Sequence, residues 1–487
     1  MYKRQAGESN INPRVIALGC LALCLVRNIC AQQAPPDPSK PLFSAGGDQV
    51  RQRIARPAEP SFALDSSIVY NLASLIDIAE SRNPETKQAW QAARAQAAAL
   101  GIARSDLYPV ARAFLLGFTS QTGVLLFNQF AQQDLGLAEA GLSLDYTLFD
   151  FGARLDRIHQ QRSLLEASNF AFNDTHRKLI FAVTQQYYQV LSAAGLRRAA
   201  EASLKSADAV AEATQARYDN GLATLPDVAE ARSADAQASY DLQLRIGDEQ
   251  KATGRLATLL TAPPYSQFKT QSIEDLTVPD TLPDNAHELI ELALHQRPDL
   301  LAQLARIDAA QAEAKKAKKA FYPTLAFSGE YGKLHAWGDQ TPYPNAYATG
   351  IVYDASLRLS WTFFDGGRRQ SELAQARAAE KEAETALNVA QDQIESEVWD
   401  AYVNAQTALH QRQAATALLQ ASQESYDMSL EAYRAGVRNV LDVLQAERQL
   451  AVARSEDVTA RAAVLNSMAE ISFRTGELLR RQAGQHP

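Results

Sequence analysis

Cysteine is scarce in this chain of 487 residues, and all three cysteine residues lie near its start, at Cys20, Cys24 and Cys30. The rest of the chain therefore has no disulfide framework and no thiol nucleophile. Methionine also occurs only three times, which argues against a path of thioether ligands for copper or silver ions. The seven histidines show no ligand spacing, so we expect no metal site.

Catalytic and nucleotide-binding motifs are absent from the sequence as well. It contains no H-E-x-x-H, no G-x-S-x-G, no P-loop and no dinucleotide fingerprint, so neither catalysis nor a cofactor is expected. The formal net charge of −8 and the isoelectric point near 5.5 argue against a general nucleic-acid binder. The main basic cluster, at residues 315–319, is typical of a solvated helix face.

The N-terminus has the pattern of a signal peptide. Basic residues precede an apolar run at residues 15–26, which is too short to span a bilayer as a helix. Ala31 supplies a small residue at the cleavage point, which predicts a signal peptide at residues 1–31. Whether the N-terminus is lipidated, at Cys20 or Cys24, stays open.

Two halves of the sequence match each other. The paired positions, at offsets of 214 or 215 residues, are Asn83-Pro84 with Arg297-Pro298, Tyr108-Pro109 with Tyr322-Pro323, Phe149-Asp150 with Phe364-Asp365, and Tyr218 and Gly221 with Tyr433 and Gly436. A period this long is typical of a duplicated domain and not of a solenoid. The sequence therefore divides into a proline-rich lead-in at 32–70, a first repeat at 71–262, a linker at 263–285, a second repeat at 286–480 and a tail at 481–487.

Both repeats predict the same order of elements. A short helix leads to a proline suited to the first turn of a second helix, and a Tyr-Pro pair ends that helix. Two alternating segments follow, and then a proline-free stretch, at 154–220 or 368–435, that is long enough for a helix of roughly 100 Å. A glycine turn and a last helix complete each repeat. The predicted fold class is therefore mainly α with a small β part, built as a duplicated helical hairpin.

The alternating segments predict four strands, at about 110–128, 138–150, 323–336 and 349–364. In the second of them, Leu142, Leu144 and Tyr146 alternate with Ser143 and Asp145. Such a strand suits either a half-buried sheet of a soluble protein or a transmembrane barrel with lipid on one face and water on the other. Four strands cannot close a barrel alone, so the second interpretation requires an oligomer.

The long helical stretches carry apolar stripes at helical spacing. Several stripe positions hold Ala or Tyr where a strong dimeric coiled coil has Leu. The pattern therefore suits either a solvated coiled coil or a helix that packs on neighbours at both sides.

These features together resemble the TolC family of outer-membrane efflux proteins, over about residues 71–480. The likeness is carried by the duplicated Tyr-Pro pairs, by W-T-F-F-D-G-G-R at 361–368, and by the turns Y-x-x-G-L-x-x-x-x-D at 218–227 and Y-x-x-G-V-x-x-x-x-D-V-L at 433–444. The resemblance implies a homotrimer in which each chain gives four strands to one twelve-stranded barrel in the outer membrane. The long helices would form an α-helical barrel that extends into the periplasm.

At each glycine turn, an acid lies three residues after a helix-capping residue. The two pairs are Thr224 with Asp227 and Asn439 with Asp442. On spacing alone, both aspartates are explained as part of helix caps.

The resemblance implies a second role for these acids, in a periplasmic gate. The carboxylate of Asp227 would accept a hydrogen bond from Tyr433, and Arg438 would form a hydrogen bond toward the neighbouring subunit. Asp442 would form a ring of three carboxylates that attracts cations. The chain has Gln445 where the well-known form of the family has a second acidic ring, so a weaker cation site is expected.

The resemblance also implies partners. A periplasmic adaptor would dock on the turns, which we name the tips, at Gly221, Leu222, Gly436 and Val437. With an inner-membrane pump, the chain would serve as the passive exit duct of a tripartite efflux system for small toxic compounds. Two alternatives stay open: the same duct in type I protein secretion, and a periplasmic structural coiled-coil protein.

Overall fold

The computed structural model describes residues 64–126, 128–282, 285–340 and 343–478. The predicted signal peptide (1–31), most of the lead-in and the tail (481–487) lie outside the described residues. The described chain is mainly helical and passes twice through one order of elements.

The first repeat begins with a short strand and ends with a helical hairpin. Its elements are β1 (Val69–Tyr70), α1 (Leu72–Arg82), α2 (Pro84–Ser105), β2 (Val110–Leu126), β3 (Gln129–Phe149), α3 (Ala153–Asp219) and α4 (Leu225–Leu259).

The second repeat follows the same order, with a 3₁₀ turn at Ile273–Asp275 between its short strand and its first helix. Its elements are β4 (Lys269–Thr270), α5 (Ala286–Gln296), α6 (Pro298–Lys319), β5 (Thr324–Gln340), β6 (Tyr343–Ser360), α7 (Arg368–Arg434) and α8 (Val440–Thr475). The helices α3 and α7 have 67 residues each, which corresponds to a length of about 100 Å.

The four longest helices pack side by side. Helix α3 packs against α4 and α8, and α7 packs against α8, so their order across the chain is α4, α3, α8, α7. Many buried positions of these helices hold alanine, which lets neighbouring backbones approach closely. Among the described residues, no helix combines the length and the apolar character needed to cross a membrane.

Strands β2, β3, β5 and β6 form one antiparallel sheet in that order. On one face, Leu325 lies opposite Leu359 and Phe327 lies opposite Leu357. On the other face, Asp145 forms an ion pair with Arg112 and accepts a hydrogen bond from Ser328. The sheet therefore has one apolar face, which is exposed in the single chain, and one polar face with internal partners.

The strands differ from their predicted bounds at both ends. Strand β3 begins at residue 129 instead of 138, β5 reaches 340, and β6 begins at 343. Residues 129–137 lack clear alternation, but the register with β2 continues to the end of the hairpin because main-chain pairing needs no apolar side chain. At its other end β6 stops at Ser360 and not at 364, because its partner strand β5 begins at Thr324, the residue that pairs with Ser360.

A chain of buried ion pairs joins the two repeats. Arg177 is 1% exposed, donates to Asp174 over 2.6 Å and lies 3.5 Å from Asp299. Asp299 accepts in turn from Arg297, which also reaches Glu397 over 2.8 Å. Burial works against ionisation, but the hydrogen bonds from Arg297 hold the pKa of Asp299 below its ordinary value. The network ties α3, α6 and α7 together.

Candidate functional site at the helical tips

The two helix-to-helix turns have the same backbone geometry. Gly221 and Gly436 adopt φ values of 73° and 78°, in the left-handed region where glycine is favoured. Main-chain hydrogen bonds close each turn; Gly221 and Leu222 donate them in one, and Gly436, Val437 and Arg438 in the other. Leu222 is 66% exposed and Val437 is 79% exposed. Both tips thus present an apolar side chain to the surroundings.

Asp227 completes the helix cap that Thr224 begins. Its carboxylate accepts from the main-chain nitrogen and from the hydroxyl of Thr224, each over 2.8 Å, and the Asp227 main-chain nitrogen donates to the Thr224 hydroxyl. This reciprocal arrangement begins α4, and the two bonds from Thr224 lower the pKa of the Asp227 carboxyl.

Asn439 caps α8 in the equivalent place. Its side-chain oxygen accepts from the main-chain nitrogen of Asp442 over 2.9 Å. The Asp442 carboxylate itself has no hydrogen bond or ion pair within the described residues and is half-exposed. It is therefore available to other groups.

Tyr433 is buried against the other repeat. It is 3% exposed, and its hydroxyl lies 3.1 Å from that of Thr214 in α3. In the described chain, no hydrogen bond joins it to Asp227, the partner that the resemblance implies, and the Asp227 carboxylate bonds Thr224 instead. Arg438 is exposed and donates to Ser429 over 3.1 Å.

Arg217 is a tip residue that the sequence analysis missed. Its guanidinium donates to the main-chain oxygen of Tyr433 over 2.7 Å and to that of Leu222 over 3.4 Å. It also lies over the Tyr433 ring, 4.8 Å from the centroid. One feature of the sequence could have indicated it: the two repeats differ at this position, where the second repeat has Ala432 in place of arginine. One side chain therefore links the two hairpins at their ends.

An open recess of about 1110 Å³ lies among the four long helices, above the tips. Its walls are mainly alanine and serine, with Asp241 and Arg245 from α4 and Glu447 and Arg448 from α8. Glu447 is 6% exposed and has no hydrogen bond or ion pair within the described residues. Burial raises the pKa of its carboxyl above the ordinary value. Ionised Glu447 is thus a charge without a close partner.

Comparison with known proteins gives the same family as the sequence motifs. A family model described as outer membrane efflux protein matches residues 75–262 and 289–477. The outer membrane protein OprJ of Pseudomonas aeruginosa is 26% identical over 452 residues, which cover 89% of this chain and 90% of OprJ. The pyoverdine export outer membrane protein OpmQ of the same species is 28% identical over 333 residues, 67% of each chain.

The fold also matches a solved structure. A crystal structure of a membrane protein from Pseudomonas aeruginosa aligns with a TM-score of 0.73 at 23% identity, and the match covers 87% of this chain and 98% of the other. This similarity confirms the predicted fold class. Because the family model covers most of both repeats, the chain belongs to the outer membrane efflux protein family.

Proposed function

We propose that the chain is the exit duct of a tripartite efflux system and that three copies form the duct. The sheet carries this proposal. Its edge strands, β2 and β6, each have one paired neighbour within the described chain, and one of its faces is apolar and exposed. An open edge of this length is an aggregation hazard, and pairing β6 of one copy with β2 of the next would remove it. Three copies would give a closed barrel of twelve strands with lipid outside and water inside.

The long helices would carry the duct into the periplasm. Helices α3 and α7 run from the strands toward the tips, and each is about 100 Å long. At the tips, Leu222 and Val437 are exposed apolar side chains on short glycine turns, which suits docking by a periplasmic adaptor. The adaptor would connect the duct to an inner-membrane pump, since no motif for energy coupling occurs in this sequence.

The tips would also hold a gate with two states. In one state Tyr433 bonds Thr214, as it does in this chain, and in the other it would bond Asp227. Arg438 is exposed and could exchange Ser429 for a group of the neighbouring copy. The half-exposed Asp442 would contribute a ring of three carboxylates on the threefold axis and would favour cations. Adaptor docking would shift the equilibrium toward the open state.

The cargo proposed for this duct is a small toxic compound. OpmQ, one of the relatives, is named for the export of pyoverdine. Nothing in the tips or the recess favours an unfolded protein as cargo, so type I secretion stays the second candidate.

Single-channel recording in a planar bilayer tests this proposal. The purified mature chain would be compared with Tyr433→Phe combined with Arg438→Glu, which removes the hydroxyl and reverses the charge at the gate. We expect a small, cation-preferring current in the wild type and a several-fold larger current in the variant. Tyr218→Phe with Arg434→Glu is the matched control, since it makes the same chemical changes at the tips outside the gate.

Two other outcomes contradict different parts of the proposal. If the wild type conducts and the gate variant does not differ from it, the duct stands and the gate is elsewhere. If the folded protein forms no pores at all, the structural coiled-coil alternative replaces the duct.

A further inference from the structure

Four chain segments join the helices to the sheet, and we call them together the junction collar: residues 104–109, 149–157, 313–323 and 361–372. Neighbouring strands of the sheet are antiparallel, and β2 and β5 begin at these segments while β3 and β6 end at them, so the four segments lie at the same end of the sheet. Arg154 donates to the Asp106 oxygen over 2.9 Å, and Lys319 donates to the Gly152 oxygen over 3.2 Å. Side chains of one segment thus bond the backbone of another.

The collar is basic in an acidic chain. It holds nine Lys and Arg against six Asp and Glu, a net charge of +3, while the whole chain has −8. All six acids are paired within the collar, as Asp106 with Arg157, Asp150 with Arg154, Asp156 with Lys319, Glu313 with Lys316, Asp365 with Arg369, and Glu372 with Arg368. Three exposed cations are left without a carboxylate in ion-pair distance among the described residues: Arg104, Lys315 and Lys318.

Two of these three cations occupy the same place in the two repeats. Arg104 and Lys318 each lie five residues before the proline that starts the strand segment. Cations near a helix C-terminus are favoured by the helix dipole, which accounts for their residue type. The dipole does not explain why every acid of the collar is already paired with another cation. Because all the acids are paired, the positive charge of these three residues stays uncompensated at the surface.

Exposed aromatic rings accompany this charge. The exposed rings of the collar are Tyr108, Phe149, Phe151, Phe321, Tyr322, Trp361, Phe363 and Phe364. They adjoin the end of the sheet where Leu357 and Leu359 are exposed on the apolar face. Rings of this kind are enriched where a membrane protein passes from hydrocarbon to water, and lysine and arginine beside them face the headgroups.

We infer that the junction collar binds anionic phospholipid headgroups of the leaflet that it enters. Arg104, Lys315 and Lys318 would bind the headgroup phosphates, while the aromatic rings and the apolar sheet face contact the upper acyl chains. The inference rests on the proposed insertion of the sheet in the bilayer. An anionic lipid is the fitting partner because the free charge is positive, while a zwitterionic lipid gains no net attraction.

Tryptophan quenching by brominated lipids tests the inference. The full chain would be reconstituted in phosphatidylcholine with increasing fractions of brominated phosphatidylglycerol or brominated phosphatidylcholine. Trp361 lies in the collar. The difference in quenching between the wild type and Trp361→Phe therefore reports the lipid next to the collar, and we call this difference the collar signal. We expect a several-fold preference for phosphatidylglycerol in that signal, reduced strongly at about 0.5 M salt because the ions screen the attraction.

The decisive comparison uses two triple variants. Arg104→Gln with Lys315→Gln and Lys318→Gln is expected to lose the preference. The matched control is Lys205→Gln with Arg255→Gln and Lys269→Gln. It also removes two exposed lysines and one exposed arginine that form no ion pair with another described residue, from the helices and the short strand β4, and it is expected to keep the preference.

Three results would overturn the inference: no preference in the wild type, equal loss in both triple variants, or retention in the collar variant. Displacement of the brominated lipid by millimolar glycerol phosphate would also overturn it, since the site would then be one for free phosphate. The same samples would be recorded in planar bilayers. Channels that conduct without lipid preference would refute the collar site alone, whereas absence of channels would refute the duct.

Discussion

The guanidinium group of Arg217 donates to the main-chain oxygen of Tyr433 over 2.7 Å and lies 4.8 Å from the centre of the same residue's ring. The two residues come from different repeats, so this contact joins the end of α3 to the end of α7. The Tyr433 hydroxyl reaches Thr214, which adds a second link between these helices. The position of one hairpin tip against the other therefore depends on a few polar contacts around one tyrosine.

Replacing Arg217 by glutamine is expected to loosen the end of the α7–α8 hairpin. The variant loses a charge-assisted hydrogen bond, worth about 1.5–3 kcal/mol, and the stacking on Tyr433. Amide hydrogen exchange at residues 433–440 should become faster by about tenfold or more, while exchange at the sheet stays unchanged.

Arg434→Gln is the control for this variant. Arg434 is an exposed arginine at the same tip and pairs with Glu431 at the surface, where such a pair contributes less than about 1 kcal/mol. Its exchange pattern should match the wild type. Equal exchange rates in both variants would show that Arg217 does not hold the hairpin.

The order of the elements was predictable because each boundary has a local signal. Pro84 and Pro298 occupy the first turns of α2 and α6, and Gly221 and Gly436 have the positive φ angles that end the long helices. Such signals act within one or two turns of the chain. They sufficed for the fold class and for the family.

Contacts between distant residues could not be predicted in this way. Arg217 lies 216 residues from Tyr433 in the sequence, and its contact depends on how closely α3 and α7 pack. The start of β3 was missed for a related reason, since its first residues owe their strand conformation to pairing with β2. The roles of Asp227, Tyr433, Arg438 and Asp442 in a gate stay predictions, because a gate requires the neighbouring copies.

Thr224→Ala is expected to weaken the start of α4 by about 1 kcal/mol, the usual effect of losing a helix cap. Exchange at residues 225–228 should become faster. Asp227 has a lowered pKa, so its bonds stabilise the cap at pH values above its ordinary 3.8 and are lost as the pH falls through the lowered value. The difference from the wild type should thus be constant from about pH 5 to 8 and shrink below about pH 4. Unchanged exchange at neutral pH would contradict the cap.

Arg177→Ala is expected to destabilise the protein by about 3 kcal/mol, since it leaves the buried Asp174 carboxylate with the exposed Lys178 as its one ion-pair partner among the described residues. A lower melting temperature measured in detergent would show this. Arg162→Ala removes an exposed pair with Glu166 on the same helix and should cost less than about 1 kcal/mol. Similar melting temperatures for both variants would show that the buried network does not stabilise the fold.

Glu447→Gln is expected to stabilise the protein at neutral pH and not in acid. Burial raises the pKa of Glu447 above its ordinary 4.5, and Arg454 and Arg448 only partly oppose this. A raised pKa means that the folded state favours the protonated form. The contribution of Glu447 to the stability of the fold is therefore fully present below pH 4.5, and it is lost as the pH rises through the pKa of the folded state.

Glutamine is neutral at every pH and avoids this loss. The variant should melt ~2 °C above the wild type at pH 8, and the two should melt together at about pH 4. Glu456→Gln is the control, because Glu456 is exposed on the same helix and lines the same recess. A gain that persists at pH 4, or one that the control shares, would mean that the effect comes from the helix or from net charge and not from the buried carboxylate.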